Sequence, residues 1–235
     1  MKKMLKIQLP QTLILEIKNS LSINELLRKL IHILICVLCA LIIPFIPLNF
    51  GVLFGFSFII IIIYLDKNGY LQFLEKVKRI SAGHYFMFLG VLFNMIYFKL
   101  HPGNFLITPA FVFSLICLGF ADSFAVLGRP ITNYLLKNHF KNNKKLMVKQ
   151  VINQILKLSL ANKTVIGSCI FTIISFLVLN LVAVISVSIS LSPIFLIKAI
   201  LLSIFLALIE IISPFGLDNL LILIIGMAGF LFVYG

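Results

Sequence analysis

The chain has 235 residues, 61% of them hydrophobic and only 11% charged, where an ordinary soluble domain carries about a quarter charged residues. That balance excludes a soluble globular protein and predicts an all-α, polytopic membrane helix bundle, with room for one domain of spans of ~20 residues each. The net charge of +13 would speak for nucleic acid in a soluble chain, but here the Lys and Arg lie in loops between apolar runs, which reports membrane orientation and leaves no case for a nucleic-acid partner.

Residues 1–29 read as an N-terminal interfacial segment, in which Leu13, Leu15 and Ile17 lie in a stretch that also holds Gln11, Thr12, Glu16 and Lys18. A mixed polar stretch follows the basic start in place of a short apolar region with a small-residue cleavage site, so no cleavable signal peptide is expected. Residues 30–235 make a single transmembrane domain. Its charge-free runs fall at 30–48, 49–65, 80–98, 104–121, 165–197, 199–209 and 219–235. Pro44, Pro47 and Asn49 mark the first turn, and His101, Pro102 and Gly103 mark another. About seven transmembrane helices are predicted, with six left open because the run from Ala199 is short.

In a seven-span arrangement every Lys and Arg except Lys99 and Lys198 falls on one side. Positive residues mark the cytoplasmic side, so the N-terminus is predicted inside and the C-terminus outside. Lys198, near the outer end of its span, can snorkel to the interface. The loop 128–164 is the most basic segment, with Lys137, Lys141, Lys144, Lys145, Lys149 and Lys157. Val148, Val151, Ile152, Ile155 and Leu156 recur in it at helical intervals. It reads either as an amphipathic helix on an anionic lipid surface, each exposed cation contributing ~1 kcal/mol, or as a loop that only sets topology.

The cysteines, Cys36, Cys39, Cys117 and Cys169, sit in apolar stretches without the spacing of a disulfide framework. They read as helix-packing residues. His32, Cys36 and Cys39 share a helical face, a spacing compatible with a metal, against the commoner use of buried thiols as apolar filler.

Of only seven carboxylates, Glu25, Asp122, Glu210 and Asp218 fall at span ends that the topology puts on the cytoplasmic side. Ionisable groups near hydrocarbon are costly, which makes them functional candidates. Glu25, Arg28, Lys29 and His32 follow i, i+3, i+4 and i+7 and share one face. They read as a snorkelling belt or as an inward face that supplies cations and an imidazole to an anionic ligand. Asp122 and Arg129 read as a span-end ion pair or as part of a site in which the carboxylate helps hold Mg²⁺, a cation that prefers oxygen ligands. Lys163 and Thr164 stand at a helix start, with Gly167 and Ser168 one turn on, a setting that suits a phosphate chain or simply begins a helix. Glu210, Asp218 and Asn219 flank a tight return loop, Ser213-Pro214-Phe215-Gly216-Leu217. A turn explains that loop, but not acids in its apolar flanks, whereas a metal ligand or general base would.

Four elements in this order resemble those of the dolichol kinase, phytol kinase and CTP-dependent diacylglycerol kinase family. They are Glu25-x-x-Arg28-Lys29-x-x-His32; Ala121-Asp122-Ser123-Phe124-Ala125 with Gly128-Arg129; Lys163-Thr164-x-x-Gly167-Ser168; and Glu210-x-x-Ser213-Pro214-x-Gly216-x-Asp218-Asn219. The resemblance runs from about residue 25 to the last residue. It implies an integral-membrane lipid-alcohol kinase that transfers the γ-phosphoryl group of CTP, or another nucleotide, to the hydroxyl of an isoprenoid alcohol or diacylglycerol. In that family setting Asp122, Glu210 and Asp218 would be catalytic, and Asp122 and Asp218 would hold Mg²⁺. Arg129, Lys163, Thr164, Gly167, Ser168 and Asn219 would bind nucleotide, and Glu25, Arg28, Lys29 and His32 would bind substrate or phosphate. Ala121 stands where the family commonly has Gly, and Leu220 and Leu221 replace more polar residues.

The competing enzyme is a CTP:phosphatidate cytidylyltransferase, whose C-terminal cluster of basic residues, His-Gly-Gly and further Asp is absent from the sequence. Asp122 lacks the companion Asp residues of a CDP-alcohol phosphotransferase or a prenyltransferase. A small transporter would place its polar groups near the bilayer midplane, not at one surface. Heavy use of Ile, Phe, Lys and Asn hints at an A+T-rich genome, hence a bacterial cytoplasmic membrane in preference to the endoplasmic reticulum.

Overall fold

A computed structural model of the chain describes residues 21–68, 83–101, 103–141, 163–187, 192–214 and 216–235. The described residues form helices and turns, with no strand among them. In chain order the helices are α1 (Ile23–Ile42), a 3-10 turn at Ile43–Phe45, α2 (Leu48–Lys67), α3 (Gly83–Leu100) and α4 (Ile107–Ala125). Then come α5 (Gly128–Lys141), α6 (Val165–Val187), α7 (Pro193–Ile212) and α8 (Leu217–Tyr234).

Hydrocarbon offers no partner to a peptide N–H or C=O, and an α-helix satisfies both from within one segment. Among the described residues, five stretches are long and apolar enough to cross a membrane: Ile23–Phe45, Ile107–Leu135, Val165–Ser186, Pro193–Ile212 and Leu217–Tyr234. A shorter apolar stretch, Tyr85–Phe98, lies in α3. The chain is an integral membrane protein with an all-helical fold.

The centre of the bundle is α4, which buries Ile107, Phe111, Leu115 and Leu118 as well as Phe113, Ser114, Cys117 and Ala121. A helix apolar and covered all round belongs at a core. Around it pack α1, α6 and α8, while α3 lies against α8, α2 against α3, α7 against both α6 and α8, and α5 against α6. Lipid tails are as apolar as Leu, so these contacts depend on close packing and on polar links between helices. Asn94 of α3, 2% exposed, supplies one such link by donating to the Leu223 carbonyl of α8 at 3.0 Å and to Ser114 Oγ of α4 at 3.4 Å. On the outside, Leu26, Leu30, Leu34, Leu38 and Leu41 form an exposed stripe along α1. In water such a patch would drive aggregation; facing lipid it is the solvated surface.

Two expected boundaries shift. The apolar run 165–197 is not a single helix. α6 ends at Val187 and a new helix starts at Pro193, where Ser192 Oγ accepts from the Phe195 N–H at 3.4 Å. A serine N-cap followed by proline at the first helical position is a strong start signal, and it places Lys198 inside α7, over the rings of Phe195 and Phe232 at 5.9 and 5.5 Å. At the other end, Ser22 caps α1 by accepting from the Glu25 N–H at 3.1 Å. The last residues of the interfacial segment are therefore helical and continuous with the first span. The rest of that segment, 1–20, and the stretch 148–156, read as an amphipathic helix or as a topology-setting loop, lie outside the described residues.

Candidate functional site

The i, i+4, i+7 spacing of Glu25, Lys29 and His32 continues to Cys36 and Ala40, and this is the face that α1 turns toward the bundle, with Glu25, Cys36 and Ala40 buried. Lys29 Nζ donates to Asp122 Oδ2 at 2.5 Å and to the Asp122 carbonyl at 3.4 Å, and both side chains are 16% exposed. Ser123 Oγ in turn donates to the Lys29 carbonyl at 3.4 Å, closing a second link between α1 and α4. His32 Nε2 lies 3.8 Å from Asp122 Oδ2, too far for a hydrogen bond. Arg28 is half-buried on the edge of the same face.

Asp122 is in the last turn of α4, and Glu210 is in the last turn of α7. A helix C-terminus carries the negative end of the macrodipole, which opposes an anion there. Neither helix has a basic residue of its own in that turn, so the compensation comes from elsewhere. Asp122 receives it from Lys29 of α1. Glu210 receives it from Lys163, which stands two residues before α6 and lies 2.8 Å from Glu210 Oε1 and 2.7 Å from Asp218 Oδ2. The same ammonium also donates to the Glu210 carbonyl. Asp218 sits in the first turn of α8, the favourable end for an acid.

These pairings bring one carboxylate oxygen each from Asp122, Glu210 and Asp218 within 4.8 Å of one another. Two unit charges at 4.8 Å repel by roughly 3.5 kcal/mol at an effective dielectric constant of about 20. Three acids against two ammoniums leave the cluster with an excess of negative charge. Burial pulls the Lys163 ammonium down, and the Asp218 and Glu210 carboxylates more than reverse it, so its pKa is above the ordinary lysine value.

The closeness of the elements depends on Gly128, at the start of α5, and Gly167, in the first turn of α6. A Cβ on Gly128 would stand 2.1 Å from the Gly167 nitrogen and 2.7 Å from Thr164 Oγ1. Thr164 caps α6, its Oγ1 accepting from the Gly167 N–H at 3.1 Å, and Ser168 Oγ donates to the Thr164 carbonyl at 3.3 Å. Asn219 fastens α8 to α3, its Nδ2 donating to the Gly83 carbonyl at 2.8 Å, while its N–H donates to Asp218 Oδ1 at 3.1 Å. Thr164 and Ser168 thus have local structural partners as the side chains stand, and Asn219 has one on α3.

The Asp122–Arg129 ion pair, one of the two readings of those residues, is not formed. A break at Val126 and Leu127 starts a new helix, and Arg129 there turns to α1, with NH1 3.6 Å from Glu25 Oε1. Arg129 is 37% exposed and Glu25 8%. The four sequence clusters therefore meet at one end of the bundle, in two layers: an inner set of Lys29, His32, Asp122, Lys163, Glu210 and Asp218, and the Glu25–Arg129 clasp beside it.

Sequence reasoning missed the role of Ser22, Ser123 and Gly83 as supports. Ser22-x-x-Glu25 has the pattern of a helix-capping pair, so that signal was present; the carbonyl of Gly83 has none. Among the described residues the carboxylates of Asp122, Glu210 and Asp218 stand close enough together that they could hold a metal ion, and His32, Cys36 and Cys39 are not grouped in that way. Cys36 packs its sulfur 4.0 Å from Met87 Sδ, and Cys117 donates to Ser175 Oγ at 3.3 Å, in keeping with packing roles. An apolar cleft between Ile43, Pro44, Met95, Phe98 and Phe111 lies at the opposite end of the bundle and has no titratable group in its lining. No protein-family model, curated protein or solved structure matches the chain.

Proposed function

We propose that the protein is a lipid-alcohol kinase that moves the γ-phosphoryl group of CTP, or of another nucleotide, to the hydroxyl of an isoprenoid alcohol or diacylglycerol. The observation that carries this reading is the meeting of Asp122, Glu210 and Asp218 within 4.8 Å, at helix ends that come from three different helices and are flanked by Lys29 and Lys163. Phosphoryl transfer needs little besides in-line positioning and neutralisation of charge. A few carboxylates and cations at the rim of an apolar bundle are suited to it.

The donor set fits Mg²⁺. Oxygens bound at ~2.1 Å in an octahedron stand roughly 3 Å apart when adjacent and about 4.2 Å when opposite, close to the spread of the three acids. Asp122 and Asp218 would hold the ion, with Glu210 as a third oxygen donor or as the acceptor of the hydroxyl proton. Bound there, Mg²⁺ would supply neutralising charge to the phosphate oxygens. Lys29, Lys163 and Arg129 are the cations in reach of a triphosphate, and the inward face of α1 carries Arg28 and His32 beside them. The alcohol oxygen forms a bond to the γ-phosphorus, the bond from that phosphorus to the bridging oxygen of CDP breaks, and the hydroxyl proton passes to a carboxylate of the cluster. The lipid tail stays among the apolar helices with its hydroxyl at the polar rim.

This activity belongs with seven spans, the N-terminus and the polar rim on the cytoplasmic side, and a bacterial cytoplasmic membrane. Support comes from the distribution of Lys and Arg and from the alternation of helix ends around the cluster: the starts of α1, α6 and α8 with the ends of α4 and α7. The test is a screen of lipid alcohols with purified wild type and Asp122→Asn. Nucleotide-dependent phosphorylation by the wild type, lost in a variant that still inserts, supports the reading; full activity in the variant removes Asp122 from the site.

A further inference from the structure

Both lysines of the inner cluster are committed. Lys29 is paired with Asp122 at 2.5 Å, and Lys163 with Glu210 at 2.8 Å and Asp218 at 2.7 Å. The lysines are 16% and 14% exposed, so water does little to screen them. In the proposed kinase reading the same three carboxylates are the donors for a cation, and the same two ammoniums are, with Arg129, the donors for phosphate. Neither ligand can be accommodated alone without leaving a poorly solvated charge unpaired, which is unfavourable.

We propose that a divalent cation and the phosphates bind this site as a linked pair, the cation taking the carboxylates from Lys29 and Lys163 and so releasing both ammoniums for the phosphates. The proposal rests on the nucleotide reading above and concerns how that site is loaded. Lys29 Nζ and Lys163 Nζ end flexible four-carbon stems that can swing between partners, while Asp122, Glu210 and Asp218 are fixed on α4, α7 and α8. Arg129 is outside the exchange, because its partner is Glu25, which is not one of the three clustered acids. Linkage is reciprocal: whatever factor the cation contributes to phosphate binding, phosphate contributes to cation binding.

The test uses the full chain in detergent micelles, with Mn²⁺ as the cation, read by the electron spin resonance of the free ion, and inorganic tripolyphosphate as the anion. Lys29→Met and Lys163→Met free carboxylates, and each is expected to bind Mn²⁺ alone at least about tenfold more tightly than the wild type, within the usual range of coupling factors. Each is also expected to bind the Mn²⁺–tripolyphosphate complex more weakly. Mn²⁺ binding in the variants that equals or falls below that of the wild type overturns the proposal. A second measurement needs no variant: acetylation of Lys29 and Lys163 in the wild type, followed by mass spectrometry. Mn²⁺ alone raises labelling of both, and Mn²⁺ with tripolyphosphate lowers it; labelling indifferent to bound Mn²⁺ overturns the proposal. A wild-type protein that binds neither Mn²⁺ nor the complex sinks the kinase reading itself, whereas binding of the complex without either lysine effect sinks the linkage alone.

Discussion

Gly128 and Gly167 touch backbone to backbone: a Cβ added to Gly128 would lie 2.1 Å from the Gly167 nitrogen and 2.3 Å from its Cα. Those atoms cannot rotate aside as a side chain would, so the α4–α5 corner and the start of α6 would have to separate. Lys163 lies just ahead of that start. Gly128→Ala is expected to cost about 1–3 kcal/mol, in the range of overpacking, and to lower the proposed kinase activity by displacing Lys163 from the acids. Thermal unfolding in micelles and the kinase assay read the two effects separately.

Lys163 sets the alkaline limit of the cluster. Its pKa is raised above the ordinary value by Asp218 and Glu210 in spite of burial. A raised lysine contributes stability that is whole below the unfolded pKa of ~10.4 and fades as pH climbs through the higher folded value. The stability that wild type holds over Lys163→Met is therefore expected to persist through about pH 9 and to shrink above ~10.4. Chemical denaturation across that range checks it; a difference that disappears by neutral pH contradicts the pairing.

Removing one partner of a buried ion pair leaves the other without a counter-charge. Asp122→Asn leaves Lys29 in that state at 16% exposure, and a loss of about 3 kcal/mol is expected, the lower end for buried pairs. Lys29→Met combined with Asp122→Asn is expected to cost less than the sum of the two single changes, because the residues are in contact. A double-mutant cycle measures the difference, and strict additivity would show that the pair contributes nothing.

Gly216 precedes α8 with φ of 88°, a left-handed conformation that an L side chain resists. Gly216→Ala is expected to cost about 1–2 kcal/mol. The larger consequence is for Asp218, two residues on. If the turn relaxes, Asp218 moves away from Lys163, and Mn²⁺ binding weakens along with stability; unchanged Mn²⁺ binding would separate the turn from the site.

Composition and charge placement were enough to read a helical membrane protein, because hydrocarbon permits few alternatives to a self-satisfied helix. The inward face of α1 was legible for a related reason: Glu25, Lys29 and His32 follow helical periodicity, which is local. Partner choice was not. Asp122 and Arg129 are close in sequence and separated by a helix break, so proximity along the chain pointed to a pair where the fold joins Asp122 to Lys29 and Arg129 to Glu25. The convergence of Glu210 and Asp218 on Lys163 likewise depends on how α6, α7 and α8 pack, which no short motif encodes. The α7 start at Ser192 and Pro193 was legible as a cap, but the continuous apolar run across it hid the break.

The most direct test of the account follows the phosphate. Purified protein is given Mg²⁺, CTP labelled in the γ-phosphate and a lipid alcohol in micelles. Label in an organic-soluble lipid phosphate, with CDP released in equal amount, is the predicted result. Labelled pyrophosphate with cytidine nucleotide transferred to the lipid, or no consumption of any nucleotide across the alcohol panel, would contradict it.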